Sequence, residues 1–184
     1  MSPVVIVLLV VLALVVIYVI STYNSLVGLK NKVEDQWSQI DVELKRRFDL
    51  IPNLVNTVKG YTKHESETLE NVIKARNTYL TADTKEKALE ADGELTNAIT
   101  KLFALAESYP DLKANENFVD LQSQLKDTED KISFARKFYN DTALQLNNKI
   151  EMFPSNIVAK MFKFSKVEFF KAAEAERENV KVEF

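Results

Sequence analysis

Residues 115–154 read NENFVDLQSQLKDTEDKISFARKFYNDTALQLNNKIEMFP, and apolar or small side chains return in this stretch every three or four positions. The repeating positions are Phe118, Leu121, Leu125, Thr128, Ile132, Ala135, Tyr139, Thr142, Leu146, Ile150 and Phe153. Side chains at that spacing share one face of an α-helix. The stretch therefore predicts one long amphipathic helix, which Asn115 caps at its start and Pro154 ends.

The same spacing runs from Leu26 to Tyr61 and predicts a second long helix. Its repeating positions are Leu29, Val33, Trp37, Ile40, Leu44, Phe48, Ile51, Val55 and Val58. Pro52 lies inside this helix and lacks a backbone N–H, so we expect a kink there. Gly60 marks its end.

Two shorter helices are expected between the long ones, over residues 65–80 and from an N-cap at Thr84 to a stop at Pro110. The chain has only 3 glycines and 4 prolines among its 184 residues, too few turn residues for a sandwich or barrel. We therefore expect an all-α fold, with an N-terminal transmembrane helix followed by an antiparallel up-and-down bundle of about four long helices.

The composition excludes several kinds of site. The chain has no cysteine, which rules out disulfides, thiolate metal sites and a lipid-modified cysteine. It has a single histidine, so no site built on two histidines is available. A net charge of −3 gives no reason to expect a nucleic-acid partner. No glycine-rich phosphate loop or serine nucleophile motif is present, so we expect no cofactor and no enzymatic activity.

Residues 4–20, VVIVLLVVLALVVIYVI, are almost purely aliphatic, and residues 1–29 contain no charged side chain. About 20 helical residues cover about 30 Å, the thickness of a bilayer's hydrocarbon core. A cleaved signal peptide is the alternative, but no basic residue precedes the apolar run, and Val19-Ile20-Ser21 is a poor cleavage site. We therefore expect residues 1–22 to form an uncleaved anchor. Its side chains include Val4, Leu8, Leu12, Val16 and Ile20.

The remaining chain divides by its pattern into a helical bundle over residues 23–153 and a C-terminal amphipathic segment with a charged tail over 154–184. Lys30 and Lys32 closely follow the span, whereas no basic side chain precedes it. The positive-inside tendency then places the bundle in the cytoplasm.

Four alternating helices bring Pro154 back toward the bilayer, and the residues after it have an amphipathic pattern. Wound as a helix, one side would carry Ile157, Val158, Met161, Phe162, Ser165 and Phe169, and the other would carry Lys160, Lys163, Lys166 and Lys171. Such a helix suits a membrane surface. The candidate lipid contacts are Lys160, Phe162, Lys163, Lys166 and Phe169. Alternatively, the segment caps the open end of the bundle and its lysines are solvated.

Lys45-Arg46-Arg47 flanks two core positions of the first helix. It is either a patch for an acidic partner or a source of ion pairs with Glu43, with Asp49 or with carboxylates of the packed helices. Trp37 falls in the apolar seam and is expected in the core, although an exposed tryptophan there would indicate a partner groove.

Arg76 and Arg136 both occur in the pattern Ala-Arg-x-x-Tyr beside an apolar stripe, and Glu107 and Glu129 also lie near stripes. We interpret these four residues as candidates for buried ion pairs that specify which helices are neighbours. His64-Glu65 is the one histidine–carboxylate pair. Adjacent helical residues diverge by about 100°, so a polar cluster at a helix boundary is the better interpretation.

Several blocks resemble one family. They include Trp37-Ser38-Gln39-Ile40-Asp41-Val42, Asp49-Leu50-Ile51-Pro52-Asn53-Leu54-Val55, Ala106-Glu107-Ser108-Tyr109-Pro110-Asp111-Leu112-Lys113-Ala114, Ala135-Arg136-x-x-Tyr139-Asn140 and Phe153-Pro154-Ser155. The chain resembles the LemA family of bacterial membrane proteins. That resemblance implies a single N-terminal span in the inner membrane, a helical cytoplasmic bundle and no particular reaction. It also implies an association with a membrane-bound zinc metalloprotease and with envelope stress.

Lys163 departs from the family pattern, which would have glycine before the following phenylalanine. We therefore expect continuous helix through this part of the C-terminal segment.

The sequence as a whole predicts a membrane-anchored, non-enzymatic scaffold or adaptor that self-associates. The resemblance adds a membrane-bound protease of the quality-control machinery as its partner. The alternative is a membrane-organising protein that acts on lipid through its anchor and its basic C-terminal segment.

Overall fold

The computed structural model describes residues 2–62 and 65–170, with no statement about the side chains of Lys85, Glu86 and Leu89. Over those residues the chain is mainly helical and contains no strand. The helices are α1 (Pro3–Lys59), α2 (Ser66–Leu80), α3 (Lys85–Ala106), α4 (Pro110–Lys113), α5 (Glu116–Glu151) and α6 (Ser155–Met161). The predicted all-α fold is confirmed. His64 and the charged tail from Lys171 onward lie outside the described residues.

The first turns of α3 and α5 are capped by the residues that the sequence predicts. The Thr84 hydroxyl accepts a hydrogen bond from the Lys87 backbone N–H at 3.2 Å, and the Asn115 side chain accepts one from the Phe118 N–H at 3.0 Å. These bonds satisfy N–H groups that a first helical turn leaves without partners. Helix α3 ends at Ala106, before the stop expected at Pro110, and Pro110 instead begins the short helix α4, because its fixed φ suits a first helical position.

The chain forms two compact units. The first comprises Met1–Ile40 and Ala135–Phe170. Its core contains Leu26, Val33 and Ile40 from α1, Tyr139, Ala143 and Leu146 from α5, and Val158 and Ala159 from α6. Trp37 contacts Tyr139, and Val33 lines the same cavity as Leu146, so α1 and α5 are antiparallel in this unit.

The second unit is built on Asp41–Phe134. Its core contains Leu44, Phe48, Ile51 and Val58 from α1, Leu69 and Val72 from α2, Leu95 and Leu102 from α3, and Phe118, Leu125 and Ile132 from α5. These are positions that the spacing of three and four selects. Burying one such side chain contributes about 1.5–3 kcal/mol, so these seams supply most of the driving force for folding.

Helix α1 continues through Pro52, although proline cannot donate to the carbonyl four residues earlier. That carbonyl belongs to Phe48, and the Arg76 Nε of α2 donates to it at 3.1 Å. A side chain thus supplies the partner that the proline removes, which joins α2 to α1 at this point.

Replacing Arg76 by leucine should leave the Phe48 carbonyl unpaired and lower the free energy of unfolding by about 1–2 kcal/mol. In a Pro52→Ala background, residue 52 regains its N–H. The Arg76→Leu substitution should then lower the free energy of unfolding by at least about 0.5 kcal/mol less than it does in the wild type. Denaturant unfolding of the four variants in detergent measures both costs. An equal cost in the two backgrounds would contradict this role for Arg76.

The prediction of a continuous helix after Pro154 is wrong. Helix α6 ends at Met161, residues 164–170 are not helical, and Lys163 adopts a positive φ of 58°. The Phe164 N–H bonds to the Ala159 carbonyl at 2.9 Å, and the Lys163 N–H bonds to the Lys160 carbonyl at 3.3 Å. This is the hydrogen-bond pattern with which helices commonly end at a left-handed residue. The turn that the family's glycine would favour is therefore formed by a lysine.

Because α6 ends at Met161, Lys163, Lys166 and Phe169 do not lie on the helix that the amphipathic pattern predicts. On α6 itself, Val158 is buried whereas its neighbour Ile157 is 59% exposed. Lys160, Lys163 and Lys166 are exposed, and Lys166 forms an ion pair with Glu151.

Candidate interaction sites

The apolar residues of α1 are the first candidate surface. Val4, Leu8, Leu12, Val16 and Ile20 are all exposed, and Leu8 has 63% of its surface accessible. Among the described helices, α1 is the one long and apolar enough to cross a membrane, and none of its most apolar window is buried against protein. Exposed aliphatic surface on this scale is stable only in contact with lipid or another apolar surface.

Residues 164–170, here named the strap, run beside α5 and are held by two asparagines of that helix. The Asn147 side chain donates to the Val167 carbonyl at 2.9 Å and accepts from the Val167 N–H at 3.0 Å. The Asn140 side chain makes the same pair of bonds with Phe170, at 3.0 Å and 2.8 Å. Each amide therefore satisfies both backbone groups of one strap residue.

Aromatic side chains hold the end of the strap. The Phe170 ring is stacked on Trp37, with centroids 5.4 Å apart, and meets Tyr139 edge-on at 5.0 Å. The Arg136 guanidinium lies 5.7 Å from the centroid of the same ring. The Tyr139 hydroxyl donates to the Glu168 carbonyl at 3.1 Å. Trp37 is half-buried by these contacts.

Sequence reasoning singled out Trp37 and Arg136 but missed Asn140 and Asn147. The available signal was two asparagines seven positions apart beside the apolar stripe of α5, which places them on one helix face. Two amides on such a face indicate a backbone partner outside the helix.

A third candidate surface surrounds α6. Large apolar side chains on α6 and directly beside it are exposed. They are here named the α6 patch: Met152, Phe153, Ile157, Met161 and Phe162. Phe153 is 80% exposed. The centroid of the Phe162 ring lies 4.6 Å from that of Tyr23, which follows the apolar run of α1 by three residues. The α6 patch is therefore next to the point where α1 leaves its apolar span. Phe169, in the strap, is also exposed.

A buried polar cluster lies inside the second unit. Arg47 is 3% exposed and places its Nη1 3.0 Å from Asp92 Oδ1 and 2.9 Å from Glu129 Oε2. Its Nη2 donates to the Thr96 hydroxyl at 3.0 Å. Arg47 thus forms ion pairs with carboxylates of the packed helices α3 and α5, one of the alternatives that the sequence leaves open. Charged groups are rarely buried without partners, and these contacts join α1 to α3 and α5.

Tyr79 lies beside this cluster, and its ring packs on Phe48 with centroids 4.0 Å apart. Burial raises the pKa of Tyr79 well above its usual value, and the carboxylates of Asp41 and Asp92 raise it further. The hydroxyl therefore stays protonated at any physiological pH and has Asp41 as its acceptor at 3.4 Å.

The other charged candidates lie at the surface or beside an aromatic ring. Arg46 is half-exposed and lies 3.9 Å from Asp127. Asp49 and Pro52 are exposed on α1, and exposed Glu107 pairs with Lys113. Within residues 2–62 and 65–170 there is no group of three or more potential metal ligands.

Replacing Arg47 by methionine should lower the free energy of unfolding by about 3–5 kcal/mol, because it leaves the buried carboxylate of Asp92 without its counter-ion. Arg46→Met is the matched control, since Arg46 is the adjacent arginine and is solvated, and it should cost less than about 1 kcal/mol. Thermal unfolding in detergent compares the two variants. Equal losses would show that the cluster does not stabilise the fold.

Comparison with known proteins agrees with this architecture. Residues 36–184 match the sequence profile of the LemA family. The chain is 29% identical over 158 residues to "Protein LemA" of Metamycoplasma hominis, an alignment that covers 85% of this chain and 72% of that protein. It is 24% identical over 174 residues to "Magnetosome protein MamQ" of Magnetospirillum gryphiswaldense and to "Magnetosome protein MamQ 2" of Paramagnetospirillum magneticum. These alignments cover 80% of this chain and 64% of each magnetosome protein, so the chain spans just under two thirds of their length.

Proposed function

We propose that this chain, which belongs to the LemA family, is a non-enzymatic scaffold or adaptor that self-associates at the membrane to which α1 anchors it. The bundle faces the cytoplasm of a bacterial cell, with the anchor in the inner membrane. Lys30 and Lys32 after the span support this orientation.

The observation that carries the proposal is the continuity of α1 from its apolar span into the core of the first unit. No helix end separates Ile20 from the buried residues Leu26 and Val33. The folded unit is therefore held at the bilayer by a helix rather than by a flexible linker. Confinement to two dimensions raises the effective concentration of neighbouring copies, so weak contacts between bundles suffice for assembly.

This mechanism predicts that association depends on the ratio of protein to lipid. Full-length chains labelled with donor and acceptor dyes, reconstituted in vesicles at a fixed bulk concentration, should lose energy transfer as lipid is added. Labels on single introduced cysteines are specific, because the chain has none. Energy transfer at the level of random encounters at every ratio would contradict self-association.

The adaptor role has a separate test. By its resemblance to the family, the client is a membrane-bound protease of the quality-control machinery. Reversing charge at exposed Lys126 and Lys137 should reduce its co-purification while the unfolding temperature stays unchanged. If co-purification falls only in variants that unfold, the charged bundle surface is not the adaptor site.

A second candidate function, organisation of the lipid itself, is favoured by the α6 patch. The patch lies beside the end of the apolar span and exposes aromatic and aliphatic side chains, which lower their free energy by entering the interfacial layer of the bilayer. The lipid contact then depends on apolar insertion more than on the lysines that the sequence suggested.

An environment-sensitive dye on Ile157→Cys should show blue-shifted emission in vesicles, and the shift should persist in high salt because apolar burial is not screened. Val119→Cys provides the control, since Val119 is similarly exposed (51% against 59%) but lies on α5 in the second unit. Identical, water-like emission from both positions would exclude insertion of the α6 patch.

A further inference from the structure

We propose that the groove holding the strap also takes the strap of a second copy of this chain, so that neighbouring copies exchange residues 164–170. The inference rests on the proposed self-association and assigns it a contact. The exchanged segment is an extended peptide with a C-terminal aromatic side chain, and the groove is formed by α1 and α5 of the first unit.

The register of the hydrogen bonds shows that the groove is a fitted peptide site. Asn140 and Asn147 are seven helical residues apart, about 10.5 Å. Their partners Phe170 and Val167 are three residues apart, about 10 Å in an extended chain. The two spacings agree because the strap is extended, and the order of the partners shows that it runs antiparallel to α5. Two asparagines can then satisfy its backbone as a neighbouring strand would.

The groove binds mainly the backbone of the strap and one side chain, the Phe170 ring. The bonds from Asn140, Asn147 and Tyr139 all go to main-chain atoms of the strap. Phe170 alone among the strap side chains is buried, at 8% exposure. None of these interactions depends on which chain supplies the strap, so the strap of a second copy meets the same donors, acceptors and aromatic contacts.

The connection to α6 favours release of the strap. Lys163 holds a left-handed conformation that costs a residue with a side chain about 1–2 kcal/mol, and the cost is relieved when the turn opens. Beside this turn lies a cavity of about 460 Å³, lined by Tyr23, Lys30, Phe162, Lys163 and Phe164 among others. The start of the strap is thus less tightly packed than its end at Phe170. Short strained hinges of this kind promote exchange of identical segments between copies.

Cross-linking between singly labelled chains tests the exchange. One full-length chain carries Leu144→Cys on α5, between the two asparagines, and a differently tagged chain carries Glu168→Cys in the strap; both positions are exposed. A flexible bis-maleimide added to membranes containing both chains should yield a cross-linked dimer carrying both tags. A control pair of Val119→Cys and Glu168→Cys should yield several-fold less.

A chain with both Leu144→Cys and Glu168→Cys provides the reference, because it must cross-link internally if the strap lies where the structure places it. Adding Lys163→Gly should stabilise the closed turn and reduce the two-tag dimer while internal cross-linking persists. Internal cross-linking without a two-tag dimer would overturn the exchange, and absence of both would overturn the groove itself. If energy transfer in vesicles still reports association, the scaffold proposal survives the loss of the exchange.

Discussion

The need to satisfy every buried backbone group is the constraint on which this structure depends. Regular helices satisfy their own interiors, and at the points where they do not, a side chain does so instead. Arg76 bonds the Phe48 carbonyl that Pro52 leaves free, so α1 can continue to Lys59 and contribute to both units. Asn140 and Asn147 supply the partners that the strap lacks after α6 ends. Arg47 satisfies the equivalent constraint for buried charge.

Local pattern predicted most of the fold. Side chains such as Ile40, Leu102 and Ile132 are buried where the spacing of three and four places them, because an amphipathic helix packs its apolar face against the core. Caps at Thr84 and Asn115 were equally readable, since they depend on residues three positions away. The apolar N-terminal stretch needed only length and composition.

Features that depend on contacts distant in sequence were not predictable in this way. The C-terminal segment has a helical pattern, yet the bonds to Asn140 and Asn147 and the packing of Phe170 on Trp37 stabilise a non-helical strap. The absence of the family's glycine at position 163 predicts continuous helix, but tertiary contacts outweigh the cost of the positive φ of Lys163. The partner of Arg76 was missed because a carbonyl left free by a distant proline has no side-chain signature. The anchor, the α6 patch and the strap all belong to the first unit, so the surfaces on which the proposed function rests are parts of one folded unit.

The central claim is that this chain acts in assemblies at the membrane, and the stoichiometry of the native particle tests it most directly. The full-length protein would be extracted from its own membranes in lipid discs, without detergent, and the protein mass of each particle measured. The account predicts particles that contain more than one 21.0 kDa chain, either several copies of this protein or copies together with a second membrane protein. Particles that contain a single copy and no other protein would contradict it.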